Sequence, residues 1–176
     1  MTRYNTAIAV TLAALFAVSP AAAQTPAAAP ASNATQKPNK VVGTWRPVSA
    51  TVEVDGKISY PYGKEPQGRL TFTSDLHFIE MLFDPAIPKI KSNQRGGGTH
   101  EENRAVMAGM LALYGRYSVD AEGNFTGNVV EGSSFPNWIG DVRTNADLTM
   151  VVDGNRMIEN FQRPGGAKVT IIFERM

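Results

Sequence analysis

The sequence predicts an antiparallel β-barrel of eight or nine strands with one short helix, preceded by an export signal. Three observations predict this fold. Short segments rich in β-branched and aromatic residues recur along the chain, turn-forming residues separate them, and a single segment has helical periodicity. Most connections are too short for a parallel crossover, so successive strands should pair antiparallel. Closing the sheet into a barrel removes its two exposed edges, and a sandwich is the alternative.

The N-terminus has the pattern of a secretory signal peptide over residues 1–23. Arg3 precedes an apolar run from 7 to 18, and the small residues 21–23 suit cleavage before Gln24. This run is shorter than a bilayer-spanning helix, so we expect no permanent membrane anchor. Export combined with the absence of cysteine favours a periplasmic or secreted protein whose core is stable without disulfides.

The remainder divides into a linker and one domain. Residues 24–40 consist mostly of Ala, Pro, Ser, Thr, Asn and Gln, a composition with too few large apolar side chains to order the chain. We therefore predict a disordered linker there and a single β-barrel domain over 41–176. The whole chain has 17 basic and 16 acidic residues, and this balance argues against a nucleic-acid partner.

The strands are predicted from apolar patterning and from the turns between them. Asp55-Gly56 and Asp153-Gly154 are pairs that suit tight hairpins. In chain order the predicted strands are 41–54, 58–62, 69–73, 77–83, 114–119, 125–131, 143–152, 156–161 and 168–174.

The helix is predicted at about 99–113. Thr99 and Glu102 have the spacing of a capping box, in which each side chain accepts from the other's backbone N–H. Val106, Met110 and Leu113 follow at three- and four-residue spacing and predict an apolar stripe.

Barrel closure should bring the first and last strands together. Gly43 and Trp45 begin the first strand and Arg175 ends the last, so pairing of these strands would place the guanidinium on the Trp45 ring. We interpret all three residues as structural, because a tryptophan at the closed end of a barrel normally packs in the core. The cation–π contact would contribute about 0.5 to 2 kcal/mol.

Several segments in this order resemble the bacterial and fungal lipocalin-like domain family, across nearly all of 41–176. The resemblance implies a calycin-type β-barrel with an internal cavity, and it supplies no catalytic set. The sequence departs from the family at Pro47, where leucine is usual, which puts regular pairing of the first strand in doubt. The segments that carry the resemblance are GTWR with VS at 43–49, YPYG at 60–63, GRLTFT at 68–73, GTHEE at 98–102, YGRYSV at 114–119 and EGSSFPNW at 131–138.

The candidate ligand-binding residues are aromatic, methionine and polar side chains that could border a cavity. The segment 133–138 combines hydroxyls, an amide and two rings around a proline, as at a pocket mouth, and a packed corner is an equally good interpretation. The full set is Tyr62, Phe72, His77, Met81, Tyr114, Arg116, Tyr117, Glu131, Asn137 and Trp138.

Several of these predictions depend on which face of its strand a side chain occupies. His77 and Glu80 lie three positions apart on one strand and therefore on opposite faces. Only one of the two can point inward, and a lone His or Glu in a strand is more often a surface residue or a satisfied polar one. His77 shares its face with Ile79, Met81 and Phe83, which places it on an apolar face. Arg116 and Glu131 are expected near the lumen together with Tyr114, where an ion pair would have a structural role.

No enzyme signature is complete. His100-Glu101-Glu102 lacks the second histidine of a helical zinc site, and Gly132-Ser133-Ser134 lacks the second glycine of a nucleophile elbow. We therefore predict no catalytic residues, no metal and no cofactor. The leading hypothesis is an exported protein that binds a small, mostly apolar or amphipathic molecule in the barrel. A cofactor-independent cyclase or isomerase is the alternative, and a solid interaction module is a third interpretation.

Overall fold

A computed structural model describes residues 37–176. The predicted signal peptide and most of the predicted linker lie outside these residues. The elements are, in order, β1 (Gly43–Val54), β2 (Lys57–Ser59), β3 (Gln67–Phe72), β4 (His77–Phe83), α1 (His100–Gly109), β5 (Met110–Val119), β6 (Phe125–Ser133), a 3₁₀ turn (Pro136–Trp138), β7 (Val142–Thr144), β8 (Leu148–Asp153), β9 (Arg156–Gln162) and β10 (Lys168–Arg175). No helix in this part of the chain is long and apolar enough to span a bilayer.

The strands form one antiparallel sheet that curls into a nearly closed barrel. The order is β7-β6-β5-β4-β3-β1-β10-β9-β8, and β2 pairs with the end of β1. The first and last strands pair as predicted, with Trp45 opposite Arg175. The two sheet edges are β7 and β8, and β8 lies against β6 without pairing to it among the described strands. The mainly β fold and the barrel class are confirmed.

Pro47 disturbs the pairing of the first strand, as its chemistry predicts. The register between β1 and β10 shifts between Pro47 and Ser49. Proline has no N–H to donate to the neighbouring strand, so a bulge at this position leaves fewer backbone groups unpaired. The Asp55-Gly56 hairpin also forms, with both residues at positive φ (50° and 73°), the backbone that a tight two-residue turn requires.

The helix begins where predicted and ends earlier. Both capping-box bonds are present, since the Glu102 N–H donates to Thr99 Oγ1 (3.2 Å) and the Thr99 N–H donates to Glu102 Oε2 (2.8 Å). The helix ends at Gly109, and Met110 begins β5. The prediction of helix to Leu113 was wrong because alternate residues Leu111 and Leu113 are buried in the barrel, a period of two that belongs to a strand.

One predicted strand is two strands in the structure. The segment predicted at 143–152 breaks into β7 and β8, joined by a turn in which the Asp147 N–H donates to the Thr144 carbonyl (2.9 Å). The turn sends β7 to β6 and β8 to β9. The gap in the barrel therefore lies between the two edge strands, β7 and β8.

The core at one end of the barrel is solid and apolar. Phe72, Phe78, Tyr117 and Phe125 are all buried and their rings contact one another, with the Phe72 and Tyr117 centroids 4.8 Å apart in an edge arrangement. Trp45 is fully buried beside the closure of β1 on β10. We call these five residues the apolar end.

Arg175 seals the apolar end. Its guanidinium carbon lies 4.0 Å from the centre of the Trp45 ring, and its Nη atoms donate to the carbonyls of Val42 (2.6 Å) and Lys40 (2.8 Å). The predicted cation–π contact is confirmed. Gly43 has φ of 126°, and a Cβ there would come within 2.8 Å of Arg175 Nη1. The glycine therefore makes room for the guanidinium.

The chain before the first strand also contacts this end. The Lys40 N–H donates to the Gly123 carbonyl (2.9 Å) in the turn between β5 and β6. The Asn39 amide donates to the Tyr117 hydroxyl (2.8 Å), which itself donates to the Thr73 carbonyl (2.7 Å). Residues 37–40 thus pack across the mouth of the apolar end.

Candidate functional site

A cavity of about 380 Å³ opens at the end of the barrel opposite the apolar end. This volume is at the lower end of the range typical of small-molecule sites. Most of the lining is apolar, and polar groups come from Ser59, Tyr62, Ser134 and Arg163. The apolar lining residues are Val52, Pro61, Met107, Ala108, Met110, Leu111, Phe135 and Trp138.

Local hydrogen bonds place Trp138 at this cavity. Ser134 Oγ accepts from the Ala112 N–H (3.0 Å), and the Ser134 N–H donates to the Ala112 carbonyl (2.7 Å), so the end of β6 is fixed to β5. Ser133 Oγ accepts from the Phe135 N–H (3.0 Å) and begins the turn. Pro136 then starts one 3₁₀ turn, which brings the Trp138 ring to within 5.2 Å of Phe135, edge to face. The 133–138 segment therefore forms one wall of the mouth.

Beneath the cavity lies a cluster of charged side chains that point into the barrel. Glu80 on β4, Glu159 on β9 and Arg143 on β7 are 5%, 6% and 8% exposed. Arg163 follows β9, lines the cavity and is half-buried. We call these four residues the polar cluster, and together with the cavity they form the polar end. Charged residues are almost never this buried unless they are paired, so the cluster requires an explanation.

Burial shifts the pKa values of both carboxyl groups upward. Removal from water raises the pKa of Glu80 to about 7, although the positive charge of Arg143 opposes the shift. The pKa of Glu159 is raised well above its ordinary range, first by burial and then by the nearby Glu80 charge. Burial also raises the pKa of the Tyr62 hydroxyl, which faces both carboxyl groups and Arg163. Near neutral pH the cluster can therefore hold protons on carboxyl groups that are ordinarily ionised.

Aromatic rings lie close to both guanidinium groups of the polar cluster. The guanidinium carbon of Arg143 lies 4.7 Å from the Phe161 ring centre and 5.5 Å from that of Trp138. The guanidinium carbon of Arg163 lies 5.2 Å from the Trp138 ring. Arg143 also comes within 3.6 Å of the half-buried Asp141 carboxylate. These contacts stabilise the positive charges without a hydrogen-bond acceptor.

Several polar atoms of this cluster have no hydrogen-bond partner in the described chain. They are Glu80 Oε1, Glu159 Oε2, Arg143 Nε, Arg143 Nη2 and Arg163 Nε, together with Oδ1 of the neighbouring buried Asn128. A buried polar atom without a partner costs about 1–3 kcal/mol. Six such atoms lie in one interior region, where ordered water or a polar group of a ligand can satisfy them.

The structure brings some predicted site residues together and separates others. Tyr62 and Trp138 line the cavity. Phe72 and Tyr117 belong to the apolar end, and the Asn137 side chain is exposed beside the 3₁₀ turn. Of these five residues, Tyr62 and Trp138 are the two that line the cavity.

Five predicted residues lie on the outside of the barrel. His77, Met81, Tyr114, Arg116 and Glu131 are exposed, and none lines the cavity. Arg116 and Glu131 form an ion pair (2.6 Å) on this outer face rather than near the lumen. The expectation for Tyr114 also fails, because the inward positions of β5 are occupied by its neighbours Leu113 and Gly115. The alternation of strand side chains leaves these residues facing solvent.

Glu80, rather than His77, is the inward residue of β4. Phe78 and Leu82 share its face and are buried, and Glu80 lies opposite the buried Leu70 of β3. Both faces of β4 carry apolar residues, so the alternation of side chains alone could not show which face points inward. The pairing of Leu70 with Glu80 decides the face.

The remaining members of the polar cluster were missed by sequence reasoning. Glu159 follows Met157 on the buried face of β9, and Arg143 is flanked by Val142 and Thr144 on a three-residue strand. A charged residue at an inward position of a strand was the available signal. It could not be used until the inward face of each strand was known.

The other hollows lined by the described residues lack such a cluster. A cleft of about 250 Å³ lies along the gap between β6 and β8 and is lined by Phe125 and Met150 among others. A groove of about 560 Å³ lies outside β3 and β4 and includes Arg69 and Met81. Within residues 37–176 there is also no group of three or more His, Cys, Asp or Glu residues that could hold a metal ion.

Comparison with known proteins agrees with this architecture. The model of a family described as a lipocalin-like domain matches residues 42–160. No curated protein and no solved structure matches the sequence. A lipocalin-like barrel points to small-molecule binding in general. The match covers more than half of the sequence, so the chain belongs to the lipocalin-like domain family.

Proposed function

We propose that this protein is exported and binds one small, mostly apolar molecule in the cavity at the polar end. The observation that carries the proposal is the cavity itself, whose lining is mostly apolar and includes a few polar groups. Such a lining favours a ligand with an apolar body, and the polar groups would fix its orientation. Met107 and Met110 at the rim supply side chains that adapt easily to the shape of a ligand.

The position of the cavity supports binding at one end of the barrel rather than along its full length. The interior of the apolar end is packed with the buried rings of Phe72, Phe78, Tyr117 and Phe125. The ligand would therefore lie between Trp138 and the helix, with one end toward Arg163.

A second candidate function is proton-transfer catalysis on the same ligand, such as a cyclisation or isomerisation. The buried Glu80 supports it, because a carboxyl group with a pKa of about 7 can act as an acid or a base near neutral pH. A ligand recovered from the protein in chemically altered form, and unaltered from Glu80→Gln, would favour this function over simple binding.

Titration with N-phenyl-1-naphthylamine, an uncharged fluorescent amine, tests the binding proposal. We expect saturable binding to the wild-type protein and weaker binding to Ala108→Trp, which adds a large side chain at the cavity lining. Ala121→Trp, in the exposed turn between β5 and β6, is the matched control and should bind as wild type does. Equal binding by both variants would refute the cavity as the site.

Export is tested separately. When the protein is recovered from its own cells, we expect to find it outside the cytoplasm and to find that its chain begins at Gln24. Intact-mass measurement would show the first residue. A chain that keeps residues 1–23 and stays in the cytoplasm would contradict export without affecting the binding proposal.

A further inference from the structure

We propose that the ligand carries an acidic group, a carboxylate, sulfonate or phosphate, that Arg143 and Arg163 bind, and that Glu80 and Glu159 take up protons when it enters. This inference rests on the proposed function, because it names the ligand class of the same cavity. It would make the polar cluster a recognition site whose affinity depends on pH.

The charges of the cluster favour an anion over a cation. Arginine stays protonated in proteins, whereas a buried glutamic acid can become neutral. The buried groups therefore range from a balanced state, with Glu80 and Glu159 ionised, to an excess of two positive charges, with both neutral. Asp141 approaches Arg143 from a partly exposed position, where water screens its charge. An anionic ligand can stabilise the positive state, and a cationic ligand has no corresponding negative state to stabilise.

The free atoms have the right chemistry for an acidic group. Arg143 Nε, Arg143 Nη2 and Arg163 Nε are donors without partners. Once protonated, the carboxyl groups of Glu80 and Glu159 also present O–H donors. Hydrogen bonds to a charged acceptor are about twice as strong as neutral ones. A carboxylate, sulfonate or phosphate could thus accept hydrogen bonds at atoms of these four side chains that have no hydrogen-bond partner in the described chain.

The groups that face the two carboxyls set the direction of the pH effect. They are Tyr62 from the segment after β2, Arg143 from β7 and Arg163 after β9, and each carboxyl also faces the other. Bound anion adds a negative neighbour, which raises the proton affinity of both carboxyls further. By linkage, affinity must be highest at low pH and must fall as pH rises through the pKa of Glu80, about 7 in the free protein. For one proton taken up, the Kd rises about tenfold per pH unit above that value.

Two dyes with the same ring system test the inference. 1-Anilinonaphthalene-8-sulfonate differs from N-phenyl-1-naphthylamine by one sulfonate, which stays ionised across the pH range used. At pH 6 we expect the sulfonate to bind about ten- to a hundredfold more tightly than the amine, the effect of one charged hydrogen bond. Its Kd should rise with pH between 7 and 9, and the Kd of the amine should not.

Substitutions test the roles of the arginines and of the carboxyl groups separately. In Arg163→Gln and Arg143→Gln the preference for the sulfonate should shrink toward equality. In the double variant Glu80→Gln/Glu159→Gln the sulfonate should bind tightly without pH dependence, because the glutamines cannot ionise. Arg46→Gln removes an exposed arginine that pairs with Glu174 outside the barrel and should match wild type. Binding of the amine shows in each variant that the cavity is still folded.

Each possible result supports or overturns a stated part of the inference. Equal affinity for both dyes, or a sulfonate preference that survives both arginine substitutions, overturns the inference and leaves the proposed function standing. A sulfonate Kd that does not change with pH in the wild-type protein overturns the proton uptake. Failure of both dyes to bind folded wild-type protein overturns the proposed function itself.

Discussion

The two ends of this barrel use their interiors differently. At the apolar end, four packed rings and Trp45 fill the space, and the polar atoms of Arg175 and Tyr117 find backbone partners. At the polar end, charged side chains are buried under a cavity and several of their polar atoms have no partner. We infer a separation of roles along the barrel axis, in which the apolar end stabilises the fold and the polar end holds the proposed binding site, because dense packing stabilises whereas buried groups without partners cost stability.

The largest difference between the ends should appear on removal of an aromatic ring. Phe72→Ala should destabilise the protein by about 3–5 kcal/mol, because the ring is fully buried among other rings and leaves a cavity. Phe135→Ala, at the partly exposed rim of the polar end, should cost less than about 1 kcal/mol. Urea denaturation followed by circular dichroism measures both, and equal losses would refute the separation.

The next largest difference in stability is expected between substitutions of the arginines at the two ends. Arg175→Gln should cost about 2–3 kcal/mol, because it removes the contact with Trp45 and two hydrogen bonds to backbone carbonyls. Arg163→Gln should change stability by less than about 1 kcal/mol, since it removes a more distant ring contact with Trp138 (5.2 Å) and Nε has no hydrogen-bond partner. Thermal unfolding of the two variants checks this order, and a larger loss for Arg163→Gln would show that the polar cluster is structural.

The polar end should also give the protein a distinctive pH dependence. The pKa of Glu80 is about 7 in the folded chain against 4.5 as its ordinary value, so the folded chain keeps a proton that the unfolded chain releases between these values. The contribution of Glu80 to stability is therefore fully present below about pH 4.5 and is lost as pH rises to about 7, at up to about 1.4 kcal/mol per pH unit.

Glu80→Gln isolates this contribution. The difference in unfolding free energy between wild type and Glu80→Gln should change with pH across that window and be constant above it. Denaturant titrations between pH 4 and 8 measure the difference. Parallel profiles for the two proteins would show that Glu80 does not titrate in this way.

The smallest effect is expected outside the barrel. Arg116→Gln removes an ion pair whose arginine side chain is 63% exposed, and such pairs contribute about 0–1 kcal/mol. Its effect on dye binding should be absent, because Arg116 does not line the cavity. Binding that weakens severalfold in Arg116→Gln would restore the expectation that this residue contacts the ligand.

Local features of the fold were predictable because their causes are local. The Thr99 capping box, the Asp55-Gly56 hairpin and the bulge at Pro47 each depend on a few neighbouring residues and their backbone preferences. The helix end and the break between β7 and β8 were predicted less well, since tertiary pairing decides them.

The candidate site was predicted only in part. Tyr62 and Trp138 were identified because aromatic residues with polar tips are typical of pocket walls. Glu80 was not included in the candidate site, because the apolar residues that share a face with His77 indicated the other side of the strand, and Glu159, Arg143 and Arg163 were not considered. These residues come from separate strands and loops, so no spacing in the sequence relates them.

By itself, then, the sequence determined the strand-rich composition, the turns, the capped helix and the meeting of Trp45 with Arg175, since short-range backbone and pairing preferences are enough for these. Only the tertiary structure decided which face of each strand points inward. It thereby placed two carboxyls and two guanidiniums under one cavity, because a side chain's direction in a strand depends on the register of its neighbours, and that register is fixed by the closed sheet as a whole.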